Sequence, residues 1–220
     1  MSHALILANG KPPSQKLLRE YVRKTDFFIC ADGGANTAVR YRMKPRLVIG
    51  DLDSVRPRIL KSLRHDEILR RPAQNSTDLE KAMTYAVGKK FTAITVLGAT
   101  GGRIDHEVGN LSALAKFSRK ARITFVDEFG MLISIGRRSQ LRLLKGRLIS
   151  LIPLTECKGI VTTGLRWNLH HETLRLGYRE ATSNIANATI VTVRVRSGEM
   201  LAFLSDAKPS SSGGKWQGLR

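Results

Sequence analysis

"FTAITVLGATGGRIDH", residues 91–106, reads as a buried strand running into a glycine-rich loop that opens a helix. The run 91–98 is apolar and β-branched, as a strand covered on both faces requires. Glycines then break it, and 103–117 reads as a helix. Strand, loop and helix in this order form the repeating unit of a parallel sheet. The same texture recurs toward the N-terminus. "ALILA" (4–8), "FFIC" (27–30) and "LVIG" (47–50) read as buried strands, and "EIL" (67–69) as a further one. Between them, 14–23, 34–42, 55–63 and 77–88 read as helices. In the last of these, Thr77 and Glu80 have capping-box spacing. Leu79, Ala82, Met83, Ala86 and Val87 then follow the spacing of a buried stripe. The expected fold class is α/β, a mostly parallel sheet with flanking helices.

Toward the C-terminus the texture changes. "RITFV" (122–126), "GMLISIG" (130–136), "RLISLIP" (147–153), "GIVTTG" (159–164) and "ATIVTVRVR" (188–196) are short, β-branched and punctuated by Gly and Pro. They predict a smaller all-β domain, a sandwich or barrel. The expected organisation is an α/β domain over 1–122, a β domain over 123–206 and a flexible polar tail over 207–220.

The chain of 220 residues is 42% hydrophobic, enough for one large or two small cores. It has no apolar run long enough for a transmembrane helix, and "MSHALILANGKPPSQ" reads as a first strand rather than a signal peptide. Cys30 and Cys157, far apart and in or beside apolar runs, are expected as free buried thiols in a reducing compartment, which places the protein in the cytoplasm. The formal charge of +19 admits nucleic-acid binding, but the excess is spread along the chain with no run of five like charges. Such a surface also steers polyanionic substrates.

Five aspartates lie in short polar segments at or near strand ends: Asp32 in "ADGGAN", Asp51 and Asp53 in "GDLDS", Asp78 in "NSTD" and Asp105 in "GGRID". In an open parallel sheet such loops converge on the crevice beyond the carboxyl ends of the strands. Five carboxylates there repel one another unless a cation sits among them, and Mg²⁺ takes oxygen ligands that it shares with phosphates. Asp32 is open to a plain turn role, and Asp78 to a helix-start role. In extended chain Asp51 and Asp53 point to one side and Leu52 to the core. Lys81 shares the face of Asp78, to pair with it or to reach a phosphate. Gly33 and Gly34 allow close approach of a ligand, and Gly101 and Gly102 expose N–H groups to phosphate beside Arg103. Neither common nucleotide-loop pattern is present. His106 reads as a surface histidine, and His65, His170 and His171 lack metal-ligand spacing.

Taken in order, "ADGGAN", "GDLDS", "QNSTDLEKA", "LGATGGRIDH" with Asn110, "GLRW" (164–167) and "SN" (183–184) resemble the thiamine pyrophosphokinase family from residue 4 to about 205. Leu52 departs from the aromatic residue expected there. The resemblance implies a β-sandwich as the second domain, a homodimer, thiamine and ATP as substrates, and Mg²⁺. It implies an enzyme that transfers the pyrophosphoryl group of ATP to the thiamine hydroxyl, releasing AMP. It assigns metal and phosphate contacts to Asp51, Asp53, Asp78 and Asp105 with Lys81 and Arg103, leaving Asp32 to shape the pocket or bind substrate. Gln74, Asn75, Ser76 and Thr77 are expected on the nucleotide side. Trp167, Ser183 and Asn184 are expected on the vitamin, in a pocket between subunits. Asp51 and Asp105 both stand as acceptors of the hydroxyl proton. A diphosphokinase acting on another alcohol and a basic nucleic-acid-binding module are the competing readings; Trp167 with "SN" disfavours the first, and the intact aspartate spacing disfavours the second.

Overall fold

The structure, a computed structural model, describes residues 2–205. The chain divides into two compact units after Ser134. In the first, β1 (His3–Leu7), β2 (Phe27–Ala31), β3 (Leu47–Gly50), β4 (Ile68–Arg70), β5 (Ala93–Leu97) and β6 (Arg122–Val126) form parallel pairs. β7 (Gly130–Ile135) adds antiparallel to β6, and the strand order is β7-β6-β5-β1-β2-β3-β4. The connections carry α1 (Gln15–Arg23), α2 (Gly34–Arg40), α3 (Pro57–Ser62), α4 (Asp78–Gly88) and α5 (Ile104–Phe117).

Two-residue alternation gives each strand two buried faces. Leu5, Leu7, Phe28, Cys30 and Val48 share one cluster with Leu18 of α1, Ala35 and Ala38 of α2 and Ile59 of α3. Ile6, Ile29 and Ile49 alternate to the other face and are equally buried. There α4, in contact with β1, β2 and β3, brings its stripe of Leu79, Ala82, Met83 and Ala86. The capping box forms as expected: Thr77 Oγ1 accepts from Glu80 N at 3.2 Å, and Thr77 N donates to Glu80 at 3.1 Å. Ser14 caps α1 through Leu17 N.

The order places β2 on one side of β1 and β5 on the other, so the chain switches direction across the sheet at β1. The loops after β1 and β5 are stitched there by Ala8 N to Leu97 O, Gly10 N to Gly98 O and Lys11 N to Thr100 O, at 2.8–3.0 Å. A crevice at such a switch point is where open α/β sheets bind ligands.

The second unit is all β. β8 (Arg138–Arg142), β9 (Leu148–Pro153), β10 (Cys157–Thr163), β11 (His170–Leu174), β12 (Ala181–Ile185), β13 (Ile190–Arg194) and β14 (Met200–Ser205) pair antiparallel. They run in the orders β12-β9-β14 and β11-β10-β13-β8. The boundary lies later than the expected 122/123. "RITFV" pairs with β5 in parallel register and so belongs to the first sheet; its composition matches the later strands, and only its partner tells them apart. Cys30 and Cys157 are free and buried, as expected. The tail expected over 207–220 lies outside the described residues.

Candidate active site

The C-terminal ends of β1, β2, β3 and β5, with the segment that leads from β4 into α4, surround a cleft of about 1000 Å³. At its floor, Asp32, Asp51 and Asp78 each offer a carboxylate oxygen, and the three oxygens lie within 4.8 Å of one another. Asp32 is only 3% exposed, and its Oδ1 has no hydrogen-bond partner. Burial pushes its carboxyl above the usual range, with the charges of Asp78 and Asp53 adding to the rise and the nearby polar groups of Ser54 and Gly33 opposing it. Lys81, also buried, donates from Nζ to Asp78 Oδ1 at 2.8 Å and stands 3.8 Å from Asp51 Oδ2. One cation thus meets two of the three carboxylates. Mg²⁺ takes hard oxygen donors such as these carboxylates, so the three residues present would fit it. The unpartnered Asp32 oxygen gives such an ion a ligand that the protein leaves unbonded.

The local backbone builds this cluster. Asp32 takes a left-handed φ of 44°, and its N–H donates to Ile49 O at 2.8 Å, which ties the end of β2 to β3. Leu52 is also left-handed, at φ 72°. The pair Asp51 and Asp53 therefore flanks a tight turn, closed by Asp53 N donating to Asp51 Oδ1, and does not lie on extended chain as expected. Leu52 still packs against the core. Gly50 leaves the room: a Cβ there would lie 2.9 Å from Asp32 Cβ and 3.1 Å from Asp78 Oδ1. Asn36 clamps the turn from α2, donating to Ser54 O at 2.8 Å and accepting from Arg56 N at 3.0 Å.

The five expected aspartates divide differently from the expectation. Asp32, left by the resemblance to shape the pocket or bind substrate, lies with Asp51 and Asp78 in the cluster. Asp53 lines the cleft and accepts from the Ser54 hydroxyl at 3.0 Å, outside the trio. Asp105 lies outside the cleft lining, on the exposed first turn of α5, gripped by Arg103 through two bonds of 3.1 and 2.6 Å. That guanidinium holds its carboxyl down to about 2. Gln74, Asn75, Ser76, Thr77, Gly101, Gly102 and Arg103 line the cleft. Gly33 and Gly34 do not: a Cβ on Gly33 would strike the Asn9 side chain at 2.4 Å, and one on Gly34 would strike Leu7 O at 2.2 Å. Their lack of a side chain admits the protein's own β1 end.

The sequence reading missed that β1 end. Asn9, Gly10 and Lys11 line the cleft, and Lys11 brings a cation to the glycine-rich loop. Their position directly after the first strand was the available signal. Asn110 fixes the loop after β5 by donating to Ala99 O at 2.8 Å.

In the second unit Asn184 is buried and brackets the Trp167 backbone. It accepts from Trp167 N at 3.2 Å and donates to Trp167 O at 2.7 Å. The indole is 57% exposed, with the Arg166 guanidinium 5.1 Å from the ring centre. Ser183, exposed and left-handed at φ 58°, donates from its backbone N to Ser150 Oγ.

Comparison with known proteins agrees with this layout. Residues 18–126 match the family model of the thiamin pyrophosphokinase catalytic domain, and 132–200 that of the thiamin pyrophosphokinase vitamin B1 binding domain. Thiamine pyrophosphokinase 1 of Oryza sativa subsp. japonica is 32% identical over 204 residues, 80% of this chain and 76% of the relative. Thiamine pyrophosphokinase 2 of Arabidopsis thaliana is 30% identical over 221 residues, 87% and 82% of the two chains. The crystal structure of thiamine pyrophosphokinase from Bacillus subtilis superposes with a TM-score of 0.77 at 25% identity, covering 93% of this chain and 99% of that one. That of the Geobacillus thermodenitrificans protein shares the fold with a TM-score of 0.80 at 24% identity, covering 95% and 99%. With both family models matched in order and relatives aligned over most of their length, the chain belongs to the thiamin pyrophosphokinase family.

Proposed function

We propose that the protein is a Mg²⁺-dependent thiamine diphosphokinase, which transfers the pyrophosphoryl group of ATP to the hydroxyl of thiamine and yields thiamine diphosphate and AMP. The observation that carries this reading is the carboxylate cluster of Asp32, Asp51 and Asp78, with its unpartnered buried oxygen, in a cleft walled by a glycine-rich loop. Family membership supplies the substrates.

Asp51 and Asp78, with Asp32, hold the ion. When bound, Mg²⁺ neutralises charge on the phosphate oxygens. The protein's own residues do the positioning, which is most of what phosphoryl transfer asks of an enzyme. Gln74 to Thr77 line the nucleotide side, and Asp53 stands beside the cluster to orient phosphate-bound water. Lys81 balances the carboxylates. Lys11 and Arg103 face the polyphosphate from the loops after β1 and β5. Of the two carboxylates considered for the hydroxyl proton, Asp105 lies outside the cleft lining in the grip of Arg103 while Asp51 lines the cleft, which favours Asp51. Trp167 offers an aromatic face to the cationic thiazolium, and Asn184 fixes the backbone that carries it. Ser183, beside Asn184, is placed with the vitamin on the family motif. The family resemblance implies a homodimer with the vitamin pocket between subunits. The described residues include no helix long and apolar enough to cross a membrane, and the reading keeps the enzyme in the cytoplasm.

Turnover of Asp53→Asn and Asp78→Asn tests the reading. Each change is expected to cost about a hundredfold or more while circular dichroism stays native. Turnover like that of the wild type in Asp78→Asn would contradict the metal-site assignment, and in Asp53→Asn it would contradict the role given to Asp53 beside the cluster.

A further inference from the structure

The glycine-rich loop after β5 already holds an anion of the protein's own. Gly102 N donates to Glu107 Oε1 at 2.7 Å, and Glu107 lines the same cleft as the carboxylate cluster. Glu107 sits one turn into α5 and reaches back over a helix start that has no side-chain cap at Arg103. The next cation of the loop is engaged in the same way, since Arg103 gives two donors to Asp105. A second feature of the cleft points to a bound cation complex: the buried Asp32 Oδ1, with no partner of its own.

We infer that Glu107 is an internal competitor for the phosphate end of the nucleotide and so sets how tightly this enzyme holds it. The inference rests on the nucleotide reading given above. A polyphosphate on this loop needs the Gly102 N–H, and an N–H so placed serves one charged acceptor at a time. Glu107 must therefore turn away as the nucleotide enters. Its charge then remains close to the phosphates and opposes them. Lys11, whose side chain lies against Gly101, offsets part of that repulsion. A role confined to capping α5 makes a different prediction, because a neutral glutamine keeps the acceptor and loses only the charge.

Calorimetric titration of the full chain with MgATP, and with adenosine as a ligand lacking phosphate, tests this. Glu107→Gln is expected to bind MgATP about three- to tenfold more tightly than the wild type. Its adenosine affinity and thermal midpoint are expected to stay level. Glu107→Ala is expected to share the gain in MgATP affinity. Unchanged or weaker MgATP binding by Glu107→Gln would overturn the inference and leave a capping role. An equal gain for adenosine would overturn it too, by removing phosphate from the explanation. Failure of the wild type to bind MgATP at all would overturn the nucleotide reading first and this inference with it.

Discussion

Lys81 Nζ lies 2.8 Å from Asp78 Oδ1, with the lysine side chain 6% exposed and the aspartate side chain 29% exposed. The ammonium is the cationic counterpart of a cluster that otherwise repels itself. Lys81→Met is expected to destabilise the protein by roughly 1–3 kcal/mol in metal-free buffer, less than breaking a fully buried pair because Asp78 still meets water. Saturating Mg²⁺ is expected to narrow that gap, since the ion takes over the neutralisation. Urea unfolding with and without Mg²⁺ checks both points; a gap that Mg²⁺ leaves untouched would separate Lys81 from the metal cluster.

Gly50 is the one strand-end residue whose missing side chain lets Asp32 and Asp78 approach. Ala at this position would press on the Asp32 backbone, which is held to Ile49 and cannot easily retreat. Gly50→Ala is expected to cost about 1–3 kcal/mol of stability. It is also expected to weaken the Mg²⁺-induced rise in thermal midpoint. A midpoint and a Mg²⁺ response both equal to wild type would contradict the packing argument.

Trp167 carries Arg166 against its ring, so a thiazolium must displace that guanidinium or take the opposite face. Under the proposed function the indole would supply the aromatic surface either way. Trp167→Ala is expected to raise the KM for thiamine about tenfold or more and the KM for ATP much less. Steady-state kinetics with each substrate varied in turn decides this. Equal effects on the two KM values would remove Trp167 from the vitamin pocket.

Glu67 gives a pH prediction remote from the cleft. Its hydrogen bond to Lys44, at 2.7 Å, and another from Arg64 N hold its carboxyl below the usual range. A carboxyl lowered in the folded state adds stability above its ordinary value, near 4.3 in unfolded chain, and that stability is lost as pH falls through the lowered folded value. Glu67→Gln is expected to be less stable than wild type at pH 7, and the two are expected to converge as pH falls through the lowered folded value of Glu67. Urea midpoints across pH 3–7 measure it; a difference constant with pH would contradict the ion-pair account.

Much of the first unit was legible because its signals are local. The apolar runs of β1, β2, β3 and β5 and the capping box at Thr77 need no knowledge of partners. The site was legible as a set of strand-end loops, because a parallel sheet brings those ends together whatever their spacing in sequence. What escaped depends on backbone choices and partners. The left-handed turns at Asp32 and Leu52 swing Asp32 into the cluster and leave Asp53 beside it; Asp-Gly is a common turn pair, but Leu52 gives no sign of such a turn. The Asn36 clamp joins segments 18 and 20 residues apart through two backbone groups. Gly33 and Gly34 look the same in sequence whether a ligand or β1 presses on them. In the second unit β11, with its sequence "HHETL", lacks the apolar alternation that marks β13.

The central claim is that this cleft transfers a pyrophosphoryl group, and product stoichiometry tests it most directly. Purified protein is incubated with MgATP and thiamine, and the nucleotides and thiamine esters are separated and quantified. The account predicts AMP and thiamine diphosphate in equal amounts, both dependent on thiamine and both abolished by chelating Mg²⁺. Release of ADP with thiamine monophosphate, or of AMP at the same rate without thiamine, would contradict it.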